Sequence, residues 1–596
     1  MNRTAFVLAA VLLAVGVAFG LSYVECSTGF QNNTALEGGR TELEFADINN
    51  DGHVDIISIG DHGNPYINTD EHGVMVWFGD RHGNWTLYQY GEFGYGGIAV
   101  GDVNSDGKWD IGYGMHHNND SVDLGDGMLE VALGDGTGQM WTAWDDSLMP
   151  GGSVWGMFST DFADIDNDGD LDVGSTSFGY GVGLRVFLNR GDGTWSRSFG
   201  TPESINSNME FYLRDVNRDG NADIIAATAG PAVYFGDGAG GFAPGDSGLP
   251  QSDYGLSGIS PGDVDNDGGA DVAFANDSGG VEVWVWNDTT HRWVDHSGTL
   301  PATGSFEGTQ LCDMNADGFV DVCALGGGHL KVWLGDGQGN WTDVTDITTP
   351  TPGHYQAFRT GADFDHNGYP DMVFITEEGS RLAEQNVAHA FREATAYESL
   401  TIFPVFPRGG ERLANGSVQF IDWWSTADVN SFICLGLQLS TAGPSGPWQA
   451  IAQPLNNGRF QWTTPESVNS PGCFIRYTAI DFSQVPAETA FAVTPRAFTI
   501  GPAVPGVAEP GNTKPQAASL KPGATVIRGL LLLNSDCPRT GTVHKTVLLN
   551  VSGRNVLDLS PGTNDVSRLA PGVYFVRQAS GLKREASSVT KVVLTE

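Results

Sequence analysis

Asp164-Ile165-Asp166-Asn167-Asp168-Gly169-Asp170-Leu171-Asp172-Val173 sets the architecture of the whole chain. Carboxylates stand at positions 1, 3, 5 and 9 of this stretch, and the glycine at position 6 permits a tight backbone reversal. The same pattern, D-x-[DN]-x-[DN]-G-x-x-D-[IVM], starts at Asp47, Asp102, Asp164, Asp215, Asp263, Asp313 and Asp363. Successive starts lie 55, 62, 51, 48, 50 and 50 residues apart, room for four short strands and their turns in each unit.

The rest of each unit fits that reading. A β-rich run follows the loop, as in Ile56-Ile57-Ser58-Ile59, and then a second strand ending in a glycine turn, as in Val76-Trp77-Phe78-Gly79-Asp80 and Val332-Trp333-Leu334-Gly335-Asp336. An aromatic closes the turn at Trp85, Trp141, Trp195, Phe242, Trp293 and Trp341. Two strand pairs with glycine-marked turns make a four-stranded blade, and seven blades stacked face to face bury the apolar faces that one blade alone leaves open. The expectation is an all-β chain with a seven-bladed β-propeller over residues 27–396. The seventh unit lacks the glycine-aspartate turn between Leu382 and Phe391, so the sequence leaves the sealing of the ring open.

Oxygen ligands at alternate positions, with a backbone carbonyl from position 7, suit the six or seven coordination of Ca²⁺ better than the small octahedral shell of Mg²⁺. Neither His nor Cys occupies a ligand position, which argues against zinc. The expected ligands are Asp47, Asn49, Asp51 and Asp55; Asp102, Asn104, Asp106 and Asp110; Asp164, Asp166, Asp168 and Asp172; and Asp215, Asn217, Asp219 and Asp223. Asp263, Asp265, Asp267 and Asp271 continue the series, with Asp313, Asn315, Asp317 and Asp321 and finally Asp363, Asp365, Asn367 and Asp371. That makes up to seven Ca²⁺, one per blade. These positions hold 23 carboxylates, which repel one another without a cation, so metal binding and folding are expected to be coupled. The seventh loop departs most, with Asn367 at position 5 and Pro370 before Asp371.

The units resemble the FG-GAP or VCBS repeats of integrin α-subunit propellers and of many secreted bacterial proteins, over about 350 residues. The resemblance implies a Ca²⁺-binding propeller serving adhesion or ligand binding, although some enzymes carry the repeat too.

Seventy-two acidic against 30 basic residues give a net charge of −42, which excludes nucleic-acid phosphates as the main partner. The uncharged stretch from Ala5 to Leu21 after Arg3 reads as a signal peptide over residues 1–20, and no later segment is apolar enough to span a bilayer. The chain is therefore expected to be secreted or on a bacterial cell surface. Six cysteines suit isolated bridges, with Cys312 and Cys323 as the expected cross-strand pair and Cys434 with Cys473 as a weaker one.

Residues 397–500 alternate apolar and polar positions, as in Val418-Gln419-Phe420-Ile421-Asp422-Trp423-Trp424, and with Trp448, Asn456-Asn457-Gly458 and Trp462 they resemble immunoglobulin- or fibronectin-like β-sandwiches. A Pro-, Ala- and Gly-rich linker covers 501–523. The last module, 524–596, carries Ser552-Gly553-Arg554 and Pro571-Gly572-Val573-Tyr574-Phe575-Val576 and resembles the C-terminal sorting domain of the bacterial type IX secretion system. That implies a small sandwich read by the secretion machinery.

In a four-stranded meander the acidic loops share a rim with the glycine-aspartate turns, and the opposite rim is free to vary. Tyr66, His116 and His117 fall in its longest loops, while Tyr95, Trp155, Tyr254, Phe306 and Tyr355 precede or enter innermost strands. These aromatics suit either stacking on a glycan or protein ligand or packing inside the ring. The function expected is adhesion or ligand binding without catalysis; the alternative is a polysaccharide lyase or glycosidase built on the propeller, which needs acid and base groups to converge at one rim.

Overall fold

The computed structural model describes residues 21–30, 42–60, 72–94 and 96–504, apart from short stretches within 116–126, 147–156, 178–181, 203–208, 227–230, 253–257, 351–354, 379–384, 397–398, 429–432 and 484–485, together with strand segments between 525 and 594. The expected signal peptide lies outside them. The described elements are strands, and no helix among the described residues is long and apolar enough to cross a membrane.

Seven four-stranded antiparallel sheets follow one another along the chain. The first strand of each leads into an acidic loop and the second leaves it, so that the residue before position 1 faces the position-9 aspartate: Ala46 opposite Asp55, Ala163 opposite Asp172, Cys312 opposite Asp321. In the seventh sheet the pairing moves on by one, Thr360 opposite Met372. Pro370, which has no amide hydrogen to give a ladder, stands at that point.

Apolar clusters join the sheets in cyclic order. Ile57 and Val76 of the first meet Ile98 and Ile111 of the second, and so on to the sixth and seventh, where Val332 meets Phe374. A further cluster joins Val373 and Ile375 of the seventh sheet to Ile56 and Trp77 of the first. The arrangement is propeller-like, with each sheet burying both faces on its neighbours.

The last sheet draws only three strands from its own unit, Tyr355–Thr360, Met372–Glu378 and Gln385–Glu393; the fourth is Tyr23–Glu25 from the start of the described chain. Glu25 pairs with Phe391, and Ala394 N donates to Ser22 O at 2.7 Å. This strand lies ahead of residue 27, where the sequence placed the start of the ring, and it supplies the seal that the degenerate seventh unit lacks. The closing aromatics follow the same logic. Trp195, Trp293 and Trp341 donate their indole N–H to the carbonyls of Trp144, Gly245 and His296, beyond the outer strand of the preceding sheet, and Trp85 donates to Cys26 O at 2.8 Å, beyond the sealing strand.

After the seventh sheet, a three-stranded and a six-stranded sheet enclose one core in which Ile421 and Trp423 meet Leu437, Ile475 and Tyr477. Residues 1–506 form one compact unit and 507–596 another. The second contains a five-stranded sheet including Lys545–Asn550 and Gly572–Ala579 and a two-stranded one. Ser552-Gly553-Arg554 lies outside the described residues.

The expected disulfides are not formed. Cys312 and Cys323 are both free, since Cys312 pairs with Asp321 and Cys323 with Gln310, two places apart in the ladder. Cys434 and Cys473 are free too; Cys434 stands opposite Ile480, seven residues along the strand from Cys473, which at about 3.4 Å per residue is far beyond bridging distance.

Candidate metal centres

Each acidic loop is built by the same backbone hydrogen bonds. In the third loop Asp164 Oδ1 accepts from Asp168 N at 3.0 Å and Oδ2 from Gly169 N at 3.0 Å, while Asp168 Oδ1 accepts from Asp170 N at 3.1 Å. The position-1 pattern recurs from Asp47, with 2.8 and 2.9 Å bonds, to Asp363, with 3.0 and 2.9 Å bonds. Position 6 has a left-handed backbone in every loop, φ +96° at Gly169, and so does position 4: Asn50, Ser105, Asn167, Arg218, Asn266, Ala316 and His366 all have φ between 54° and 61°. Position 4 went unread in the sequence. Asn at three loops was a signal, and Arg, Ala and His at others hid it. Ala316→Asn is expected to raise the melting temperature slightly, by about 0.5 kcal/mol of stability, because asparagine tolerates this conformation better; calorimetry of the variant checks it.

Position 9 has a second task. Asp321 is fully buried; its Oδ2 accepts from Met314 N and its Oδ1 from Gly335 N, both at 2.8 Å. Asp55, Asp110, Asp172, Asp223, Asp271 and Asp371 repeat both bonds, so this side chain ties the loop to the end of the third strand, and to the glycine of the glycine-aspartate turn where that turn exists. Asp321→Asn leaves one amide hydrogen facing a backbone donor. It is expected to cost about 2–4 kcal/mol in calcium, where the carboxylate is ionised and two buried bonds depend on a double acceptor; chemical denaturation of the variant against the parent in calcium measures it.

In three loops the carboxylates of positions 1, 3 and 9 bring an oxygen each within 4.8 Å of one another: Asp164, Asp166 and Asp172; Asp263, Asp265 and Asp271; Asp363, Asp365 and Asp371. In the other four, Asn49, Asn104, Asn217 and Asn315 stand at position 3. Asp166 Oδ1 and Asp219 Oδ2 are buried without a hydrogen-bond partner. Such orphaned acceptors are costly in a dry site and suit a bound cation, so the donor set fits Ca²⁺. Burial pushes the position-1 and position-9 carboxyls up, Asp164 and Asp263 to about 7 and Asp55 to about 8 from an ordinary 3.8. Arg392 Nη1 lies 2.7 Å from Asp365 Oδ2, placing a guanidinium on the seventh loop's position 3.

Every loop is met by the two-sheet module that follows the ring, a contact that no motif in the sequence marks. Asn457 Nδ2 donates to Asp47 Oδ2 at 3.1 Å. The Gln461 amide grips the backbone of Asp102, accepting from its N at 2.9 Å and donating to its O at 2.8 Å. Val418 N donates to Asp164 Oδ2 at 2.9 Å, and Val504 N to Asp219 O at 2.7 Å. Gly268 approaches Gly410 so closely that a Cβ on it would lie 2.2 Å from the Gly410 carbonyl carbon. Arg408 Nη1 donates to Asp313 Oδ2 at 2.8 Å, and Ala427 N to His366 O at 2.8 Å.

A charged cluster, unread in the sequence, occupies the axis, where sheet four can reach sheets six and seven. Tyr212 donates its hydroxyl to Glu210 at 2.8 Å, accepts from Gln310 at 3.4 Å and lies under the Arg359 guanidinium, 5.9 Å from its ring centre. Arg359 pairs with Glu44. Glu42 of the first unit accepts from Ile98 N, Ser159 Oγ and Thr160 N. Burial pushes the Glu210 carboxyl up to about 8 and that of Glu42 well above its usual range. A cavity of about 210 Å³ at the module's end of this axis is lined by Glu44, Arg359, Asp422 and Arg459. Two ion pairs stand in its wall, Arg359 with Glu44 and Arg459 with Asp422 at 2.9 Å, and Asp363 of the seventh loop lines it too.

Of the expected ligand-rim residues, Tyr254 is buried, donates its hydroxyl to Pro250 O and packs edge-on against Phe274, and Phe306 packs edge-on against Trp333. Tyr355 and His117 begin strands Tyr355–Thr360 and His117–Asn118. Tyr66, Tyr95, His116 and Trp155 lie outside the described residues.

A comparison with curated proteins found no match. Among solved structures, the chain is similar to an Agrocybe aegerita lectin described as recognising non-reducing terminal N-acetylglucosamine, at 18% identity, covering 56% of this chain and 89% of that one with a TM-score of 0.37. It is also similar to the Photorhabdus luminescens Tc holotoxin pore (14%, 71% of this chain and 22% of that one, TM-score 0.28) and to a GH43 β-1,3-galactosidase bound to galactodeoxynojirimycin (9%, 59% and 90%, TM-score 0.24). Residues 215–274 and 313–374 match the FG-GAP-like repeat family. Four of the seven acidic loops, those starting at Asp215, Asp263, Asp313 and Asp363, fall within the residues that match this repeat.

Proposed function

We propose that this chain is a secreted or cell-surface protein in which a seven-bladed propeller, loaded with Ca²⁺ at its acidic loops, carries a β-sandwich and binds an extracellular glycan or protein in adhesion. The observation that carries the cation is the convergence of three aspartates at each of three loops, with Asp166 Oδ1 buried and unpartnered at one of them. Calcium here is a structural ion. The contacts of the module with the loop-bearing rim support a partner on the opposite rim, where the units differ in length in the sequence. Residues 524–596 serve as the secretion sorting signal; fused to a reporter in a competent host, they should send it to the surface, and periplasmic retention would refute this.

A second reading has the axial cluster as a polysaccharide-cleaving site. Glu210, protonated near neutral pH and bonded to Tyr212, has the character of a general acid. Glycan-array binding with and without Ca²⁺, run beside a polysaccharide degradation screen, separates the two. Calcium-dependent binding without cleavage supports adhesion; cleavage lost in Glu210→Gln supports the enzyme.

A further inference from the structure

Three loops offer the same atom to the module that covers them. Oδ2 of the position-1 aspartate accepts Asn457 Nδ2 at the first loop, Val418 N at the third and Arg408 Nη1 at the sixth. In each case that oxygen already accepts the glycine N–H of its own loop, so its place is set by the plane of the position-1 carboxylate. At the third loop the same carboxylate is one of the three that converge, and at the first and sixth its other oxygen accepts the position-5 N–H as it does there. An occupied loop therefore keeps this acceptor ionised and fixed where the module needs it, and an empty one holds it by the loop's own N–H groups alone, as a weaker acceptor once protonated.

We propose that cation binding in the loops and docking of the module spanning residues 399–504 are thermodynamically linked, so that loaded loops hold the module on the rim and the docked module holds the ions. This rests on the calcium reading above. The linkage is reciprocal: whatever factor the ions add to docking, docking adds to ion affinity. The sixth loop is the exception that the same geometry predicts. Arg408 brings a positive charge to Asp313, so this contact forms without an ion and opposes one, whereas the neutral donors at the first and third loops favour an ionised, loaded carboxylate.

The test is hydrogen exchange of the full chain across a calcium titration. Protection of the loops and of module strands Val418–Thr426 and Arg459–Thr463 is expected to rise together, while Ile433–Ser440, in the module's own core, stays constant. Loops that gain protection while those two strands do not would overturn the linkage and leave the calcium reading standing. No response at the loops would overturn both. Where chelation unfolds the chain, affinity measured by calorimetric titration decides: Asn457→Ala with Gln461→Ala is expected to weaken calcium binding about 5-fold or more, Arg408→Ala to strengthen it at one site, and unchanged affinity in both variants refutes the linkage.

Discussion

Excess chelator is expected to lower the melting temperature by roughly 10 °C or more. An ion that binds only the folded state at a hundred times its dissociation constant contributes about 2.7 kcal/mol. The third and fifth loops, whose converging carboxylates carry no guanidinium, alone thus account for about 5 kcal/mol, a large loss for any domain. The chelated protein should also respond to pH with an unusual sign. Asp110 and Asp164 are pushed up to about 7, and Asp55 and Asp215 to about 8, by burial first and by neighbouring carboxylates next. Between pH 4 and these values the metal-free fold holds protons that the unfolded chain has released, so its stability falls as pH rises through that window. Acidification from pH 8 to 5 should therefore raise the melting temperature in chelator and lower it in calcium, where protons compete with the ion. Scanning calorimetry under the four conditions checks both statements; the same slope with and without calcium would refute the metal centres.

Removing residues 21–26 is expected to cost more than any single substitution. The strand Gln385–Glu393 would lose its partner along Phe391 to Glu393 and expose an open edge. Trp85 would lose the carbonyl of Cys26, and buried Phe30, stacked on Trp85 at 5.3 Å, would lose its anchor. Large-to-small changes at one buried aromatic cost about 3–5 kcal/mol, and here the seal of the ring goes with it. The truncated chain should unfold at much lower denaturant or purify as aggregates, while Tyr23→Phe, which keeps the strand, should behave as the parent. A truncated chain with the parent's denaturation midpoint would show that Tyr23–Glu25 does not hold the ring closed.

The loops were legible because their chemistry is local. Ten consecutive residues contain the reversal at Gly169, the oxygens proposed to face an ion and the apolar Val173 of the next strand, and seven repetitions establish the period. The contacts that tertiary structure alone decided join residues far apart in the chain. Asn457 reaches Asp47 across 410 positions, Glu42 reaches Thr160 across 118, and Tyr23 of the sealing strand pairs with Glu393. No pattern within a unit encodes such partners, since Asn, Gln and Glu at those sites read as ordinary polar positions. Position 9 shows both sides of the division. The sequence marks it as a ligand, and only the ladder that brings Gly335 beside Asp321 reveals that the same carboxylate also holds the sheet together.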